Sequence, residues 1–173
     1  MNLSELEKTD FYTFFNLHEI KTAKSSPNCI IFKPGGFQEY ITIHIIIDEQ
    51  KNIHGAHLIL DREWVGNFET INPFGKDIAK SFIGTFISSK VNSEFRDSLI
   101  TSLWNMKGTK DVIICIDKVV KGWEYSNIEI KDFLDVYRNS KKEAKKILDG
   151  YELIMINIQD GDKKILKIII RHV

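Results

Sequence analysis

The chain has 173 residues, of which 43% are hydrophobic and 28% charged, values that fit one globular domain and exclude an intrinsically disordered protein. Its 24 basic and 24 acidic residues cancel to a net charge of zero. This balance argues against a dedicated nucleic-acid-binding protein and against a binder of anionic membranes, because both classes normally carry an excess of basic residues.

The expected compartment is the cytoplasm. No apolar run approaches the ~18 residues that span a bilayer, and acidic residues stand near the N-terminus where a signal peptide has basic ones. Cys29 and Cys115 lack the spacing of zinc ligands or of a C-x-x-C motif. We expect two reduced, buried thiols, with a single disulfide as the alternative. No cofactor is predicted, because the chain has no glycine-rich phosphate loop, nucleophile elbow or H-E-x-x-H motif.

The first part of the chain predicts one helix followed by three strands. Ser4 and Glu7 have the spacing of a capping box, which predicts a helix over residues 4–20. Apolar and β-branched runs bounded by turn residues then predict three strands: Cys29–Lys33, Tyr40–Asp48 and Gly55–Trp64.

The strongest helix signal is NPFGKDIAKSFIGTFISSK, which begins with a capping Asn72 followed by Pro73. Apolar residues recur through this stretch at helical spacing: Ile78, Ala79, Phe82, Ile83, Phe86 and Ile87. The sequence further predicts a helix over Ser93–Met106, a strand over Asp111–Val120 and a helix over Phe133–Leu148.

The last predicted unit is a hairpin of Tyr151–Gln159 and Lys163–Val173 around Gly161. Its apolar faces are taken to be even-numbered on both strands: Ile154, Ile156 and Ile158 on the first, and Leu166, Ile168 and Ile170 on the second. Pairing even with even residues requires an odd number of loop residues. The pattern therefore predicts a three-residue turn with Gly161 in the left-handed region.

Strands grouped before and after helices, without repeated βαβ units, are typical of an α+β fold. The predicted order is helix, three strands, two helices, strand, helix and two strands. We therefore expect residues 1–173 to form a single α+β domain, in which a largely antiparallel sheet of about six strands packs against three to four helices.

The stretch ITIHIIIDEQKNIHGAHLILD places His44 and His57 in neighbouring predicted strands. If alternate apolar residues of both strands are buried together, a turn at Gln50 and Lys51 puts the histidines directly opposite each other. Cross-strand partners have Cβ atoms about 4.5–5.5 Å apart, so two imidazoles could bind one ion. With Asp61 on the same face, the pair is a candidate metal site or acid–base centre. Structural histidines at a sheet surface are the favoured alternative.

The connection LDREWVGNFETINPFGKDIAKSF mixes charged, aromatic and turn residues between two firm elements, which is where binding residues concentrate. Tryptophan is over-represented in binding hot spots, so an exposed indole would mark a partner surface. An indole that covers the edge of the core would have no binding role. The predicted binding surface consists of Arg62, Glu63, Trp64, Asn67 and Trp123.

The predicted function is a soluble, non-catalytic binding domain that recognises a protein partner or another copy of itself. The alternative is a small metal-dependent or acid–base enzyme centred on His44, His57 and Asp61. Contact with nucleic acid is least favoured, because the basic run RNSKKEAKK contains no aromatic stacking residue. Its candidate contacts are Arg138, Lys141, Lys142 and Lys145.

Overall fold

A computed structural model describes residues 1–91, 93–110 and 127–173. Its centre is an antiparallel sheet of seven described strands in the order β1-β2-β3-β4-β7-β6-β5. The strands are β1 His18–Ile20, β2 Cys29–Lys33, β3 Ile41–Ile47, β4 Ile53–Asp61, β5 Glu143–Leu148, β6 Tyr151–Asp160 and β7 Lys163–His172. The described helices are α1 Leu3–Leu6, α2 Asp10–Phe14, α3 Arg62–Val65, α4 Pro73–Phe86, α5 Ser93–Asn105 and α6 Ile128–Tyr137. The expected single α+β domain with a largely antiparallel sheet is confirmed.

One face of the sheet packs against the helices and forms the core. The alternate isoleucines of β3 are buried on this face and lie opposite Ala56, Leu58 and Leu60 of β4. The buried residues of α4, α5 and α6 join them in one hydrophobic cluster. Alternating apolar and polar residues therefore assign these two strands to a half-covered antiparallel sheet.

Helices α4 and α5 run antiparallel, and each begins with a basic side chain that bonds the end of the other. Lys76 in the first turn of α4 donates from Nζ to the carbonyls of Trp104 (3.0 Å) and Met106 (2.6 Å) at the end of α5. Arg96 in the first turn of α5 donates to the carbonyls of Gly84 (2.6 Å) and Ile87 (2.7 Å) at the end of α4. Both contacts satisfy carbonyls that a helix end leaves without intrahelical partners.

The predicted helix over residues 4–20 is wrong. The segment forms α1, α2 and the short strand β1. The capping box is made by Asn2 and Glu5, and Thr9 caps a second helix by accepting from the backbone of Tyr12. Asn16, with a positive φ of 51°, then ends the helical segment. The caps at Asn2 and Thr9 therefore start two short helices where the apolar spacing predicted one long helix.

The predicted helix over Phe133–Leu148 is also wrong in its bounds. Helix α6 begins after Asn127, which caps two backbone N–H groups, and it ends at Tyr137. Asn139 has a positive φ of 66°, and the following residues enter β5. Within β5, Ala144 and Leu148 are buried on the inner face, whereas Ile147 is 58% exposed. Ala144 and Leu148 fit both a helical spacing and the alternation of a strand, and the segment forms a strand.

The hairpin of β6 and β7 forms, but with a turn one residue shorter than predicted. Asp160 pairs with Lys163, so the turn has two residues and even-numbered positions face odd-numbered ones. Gly161 has the expected left-handed φ, 61°, as the first central residue of a two-residue turn. The inner face of β6 is formed by Leu153 and Met155. The predicted face of β6, which consists of Ile154, Ile156 and Ile158, points away from the core.

Helices α4 and α5 form where the sequence predicts them. Asn72 caps α4 with Pro73 in its first turn, and α5 covers the predicted residues to within one position. The strand over Asp111–Val120 lies outside the described residues, as does Cys115. Among the described helices, none has the length and apolar character needed to cross a membrane.

Candidate functional site

His44 and His57 lie directly opposite each other, as their predicted register requires. Their ring centroids are 6.3 Å apart with an angle of 33° between the ring planes. Thr42 lies opposite Ile59 in the same register, and the pairing shifts only near the turn, between Ile46 and Ile47. Both imidazoles are half-buried on the sheet face that points away from the core cluster.

The environment of the two histidines favours their neutral form. The pKa of His57 is lowered to about 4, mainly by burial, with smaller contributions from the neighbouring charges of Lys167, His44 and Arg171. Burial also lowers the pKa of His44, with added contributions from Lys167, Lys24 and Lys33. At neutral pH these imidazoles therefore act as polar, uncharged groups on a surface whose nearby charges are positive.

Asp61 does not join the two histidines. Its carboxylate accepts from the backbone N–H of Trp64 at 2.9 Å and so caps α3. In residues 1–91, 93–110 and 127–173, no three His, Cys, Asp or Glu side chains come together in a group that could hold a metal ion. The arrangement therefore brings together two of the three groups considered for a metal or acid–base centre.

We call the sheet face that carries the histidines the open face, because none of the described helices contributes to it. On this face Ile31 of β2 is buried and Ile147 of β5 is 58% exposed. Isoleucines from five other strands lie among its polar and charged residues. They are half-buried between neighbouring strands, and their outer surfaces remain accessible. These isoleucines are Ile20, Ile46, Ile59, Ile154, Ile156, Ile158, Ile165 and Ile169.

Such a composition is unusual for an uncovered face. An antiparallel sheet with one solvated side normally places polar residues there. In cross-strand order, His57 is followed by Ile169 of β7 and Ile154 of β6. The histidine row therefore continues into an apolar row of half-buried side chains.

Charged groups border the apolar part of the open face. On β6, Glu152 is only 4% exposed and binds Lys145 at 2.6 Å and the guanidinium of Arg171. The hydrogen bond from Lys145, followed by that from Arg171, lowers the pKa of the Glu152 carboxyl. These three side chains form a closed ion-pair network on one side of the face.

Among the predicted binding residues, Arg62 has an internal role. Its side chain is 5% exposed, and Nη1 donates to Asn157 Oδ1 at 2.7 Å. Nη2 donates to the carbonyls of Gly66 (2.5 Å) and Tyr137 (2.6 Å). The guanidinium thus ties α3 to the end of α6 and to β6.

The other predicted binding residues are distributed differently. Glu63 is exposed, and Asn67 is exposed but uses Oδ1 to accept from the backbone of Glu69 and Thr70 within its own turn. Trp123 lies outside the described residues. No compact surface of these residues is therefore seen in the part of the chain that the structure describes.

Trp64 is half-buried in a small aromatic cluster. Its indole stacks on the ring of Tyr40, with centroids 5.5 Å apart and 6° between planes. The ring centroid of Phe37 lies 5.4 Å from that of Trp64 and 5.0 Å from that of Phe74. Phe37 and Phe74 are 44% and 58% exposed, so the accessible aromatic surface belongs mainly to residues that the sequence did not single out.

The basic run considered for nucleic acid is divided between the end of α6 and β5. Arg138 is 6% exposed and contacts Asp135. Lys141 binds Asp132 at 2.8 Å, and Lys145 binds Glu152. Acidic partners therefore neutralise most of these charges, which leaves no continuous basic surface among them.

The sequence contained a signal for the open face that the prediction of the hairpin misread. The strands YELIMINIQ and KKILKIIIRHV are apolar at both odd and even positions. In an antiparallel hairpin this pattern means that both faces carry apolar side chains. One face supplies the core, and the other becomes the accessible isoleucine surface.

No protein-family model matches the chain, and neither a curated protein nor a solved structure matches it significantly.

Proposed function

We propose that this chain is a non-catalytic binding domain that docks a protein partner on its open face. The observation that carries the proposal is the set of half-buried isoleucines on a sheet face to which no described helix contributes. Apolar patches of this kind, bordered by polar groups, are characteristic of interaction surfaces. A cytoplasmic location is proposed with it, in keeping with the free thiol of Cys29.

The dimensions of the open face suit a protein interface. Strands lie about 4.8 Å apart, so seven strands measure roughly 29 Å across, and a seven-residue strand is roughly 24 Å long. The projected area is roughly 700 Å² by this reckoning, close to the ~800 Å² that each partner buries in a standard interface.

The test is site-specific photo-crosslinking in the cells that make the protein. A photoreactive residue at Ile154, on the open face, should form a covalent adduct with a protein partner, which mass spectrometry identifies. The matched control is Ile128 of α6, an isoleucine that is 69% exposed on the helical side. An adduct of twice the chain mass would identify self-association.

The identified partner is then purified and its affinity is measured directly. The double variant Ile154→Thr, Ile169→Thr removes a directly paired apolar contact of the open face and should weaken binding at least about tenfold. Adducts no more abundant at position 154 than at position 128, or binding unchanged by the double variant, would contradict the proposal.

A further inference from the structure

The basic residues of the open face are placed in a defined row. Lys33 of β2 lies beside Thr42 of β3 and donates to its hydroxyl at 2.8 Å. Thr42 pairs with Ile59 of β4, and Ile59 pairs with Lys167 of β7. Three strand spacings therefore separate the two lysines, or roughly 15 Å between their backbones. The histidine row runs immediately alongside.

The described part of the chain gives neither lysine an acidic partner that neutralises it. Lys33 donates to two neutral acceptors, the carbonyl of Gln38 at 2.6 Å and the hydroxyl of Thr42. Among the described residues, no carboxylate forms an ion pair with Lys33 or with Lys167. The nearest acidic influence on Lys167 comes from Asp160, which pairs with Lys24 at 3.8 Å.

The surroundings of both lysines disfavour an uncompensated charge. Both side chains are half-buried, and Lys167 lies between Ile59 and Ile156 of the neighbouring strands. Burial is the main cause that lowers the pKa of Lys33 and of Lys167, and a second lysine adds to the effect in each case. The other side of the same face behaves differently, since Glu152 there compensates Lys145 and Arg171. Positive charge is thus in excess around His44, where Lys167, Lys24 and Lys33 lower the pKa of the imidazole after burial.

We propose that the partner bound by the open face is an acidic protein surface, on which carboxylates roughly 15 Å apart lie among apolar side chains. Lys33 and Lys167 form ion pairs with these carboxylates. The isoleucines and the neutral histidines contact the apolar side chains of the partner. This inference rests on the proposed function and adds the chemistry of the partner. Opposite charges placed on apolar surroundings give an interface both specificity and a faster association.

An anionic membrane would attract the same two lysines, but the shape of the surface favours a protein. Peripheral membrane proteins bury apolar side chains about 5–10 Å into the boundary of the acyl chains. The isoleucines of the open face are half-buried between strands, so little of each side chain projects for insertion into a bilayer. Partly buried apolar side chains of this kind pack against the apolar surface of another protein.

The test uses two synthetic amphipathic helical peptides with the same leucine pattern. One carries glutamates at its polar positions, and the other carries lysines. The glutamate peptide should bind at least about tenfold more tightly at low salt, and amide hydrogen exchange should place it on β3, β4 and β7. The variant Lys33→Glu, Lys167→Glu should lose this preference. The control Lys8→Glu, Lys90→Glu, which changes the net charge equally at two exposed lysines, should keep it.

Several outcomes would overturn the inference. Equal affinity for both peptides on the open face would remove the acidic partner while leaving the proposed docking function intact. Binding of neither peptide would also overturn the inference. It would leave the docking function to be tested separately by crosslinking at Ile154. Preferential binding to vesicles of phosphatidylcholine with phosphatidylglycerol, lost in the Lys33→Glu, Lys167→Glu variant, would assign the lysines to a membrane surface.

Discussion

Arg62 illustrates how a charged side chain can become part of the interior. In the sequence it belongs to a polar connection, yet its guanidinium bonds Asn157 and the carbonyls of Gly66, Val136 and Tyr137. Burial lowers its pKa to about 10, so the group remains charged at neutral pH. A buried charge of this kind is stable only because several oxygens replace its hydration.

Replacing Arg62 with methionine should therefore lower the free energy of unfolding by about 3 kcal/mol, because several acceptors lose a charged donor. Urea denaturation monitored by circular dichroism measures this change. The adjacent variant Glu63→Gln alters an exposed side chain and should stay within about 0.5 kcal/mol of the wild type. A similar small effect for Arg62→Met would mean that the hydrogen bonds of the guanidinium contribute little.

His57 predicts a specific dependence of stability on pH. Its pKa in the folded protein is about 4, below the ordinary value of 6.5. Between these two values the unfolded chain binds more protons than the folded one, so the free energy of unfolding falls as pH falls. The stabilising contribution of the neutral imidazole is thus complete above pH 6.5 and is lost toward pH 4.

Urea denaturation at pH 7 and at about pH 5 should show this loss, above the range in which most carboxylates titrate. The variant His57→Gln should reduce the difference between the two pH values. The exposed His18→Gln variant serves as the control and should keep the wild-type difference. If His57→Gln left the pH dependence unchanged, the burial of this imidazole would have no energetic consequence.

At the scale of single elements, β6 has two apolar faces with different surroundings. Leu153 is fully buried against the helices and pairs with Ile170. Ile154, the next residue, is half-buried on the open face and pairs with Ile169. The two positions share one strand and one backbone environment, so they compare the two faces directly.

The same kind of substitution should have unequal effects at these positions. Leu153→Thr should lower the free energy of unfolding by about 3 kcal/mol, because it places a hydroxyl and a cavity in the core. Ile154→Thr should lower it by less than about 1 kcal/mol, since its outer surface is accessible and threonine suits a strand. Thermal and urea denaturation of both purified variants measure the difference. Equal losses would mean that the open face is covered.

The elements also show which local patterns determine structure without ambiguity. Alternation restricts the register of β3 and β4, because a slip of one residue would expose an apolar face. The turn at Gln50 and Lys51 then selects the observed pairing from those that remain. In β6 and β7 both alternate sets are apolar, so either register buries isoleucines and the sequence could not decide. In β5, Ala144 and Leu148 satisfy helical and strand spacing alike, and pairing with β6 decides between them.

At the scale of the whole molecule, the sequence predicted the class of fold but only part of the candidate site. The face shared by His44 and His57 follows from two neighbouring strands. Its extension through Ile169 and Ile154 depends on β7 lying beside β4. Strand order is set by packing between distant parts of the chain, which local periodicity does not encode. The internal role of Arg62 was missed for the same reason, since its partners lie far along the chain.

The position of β7 has a consequence for how the protein is made. Among the described strands, β7 follows all others in chain order, yet it lies between β4 and β6. No other described strand joins β4 to β6, so a chain in which β7 has not yet paired would leave both of these strands with an unpaired edge. Unpaired strand edges favour aggregation. Completion of the sheet thus depends on a single strand that closes both edges at once.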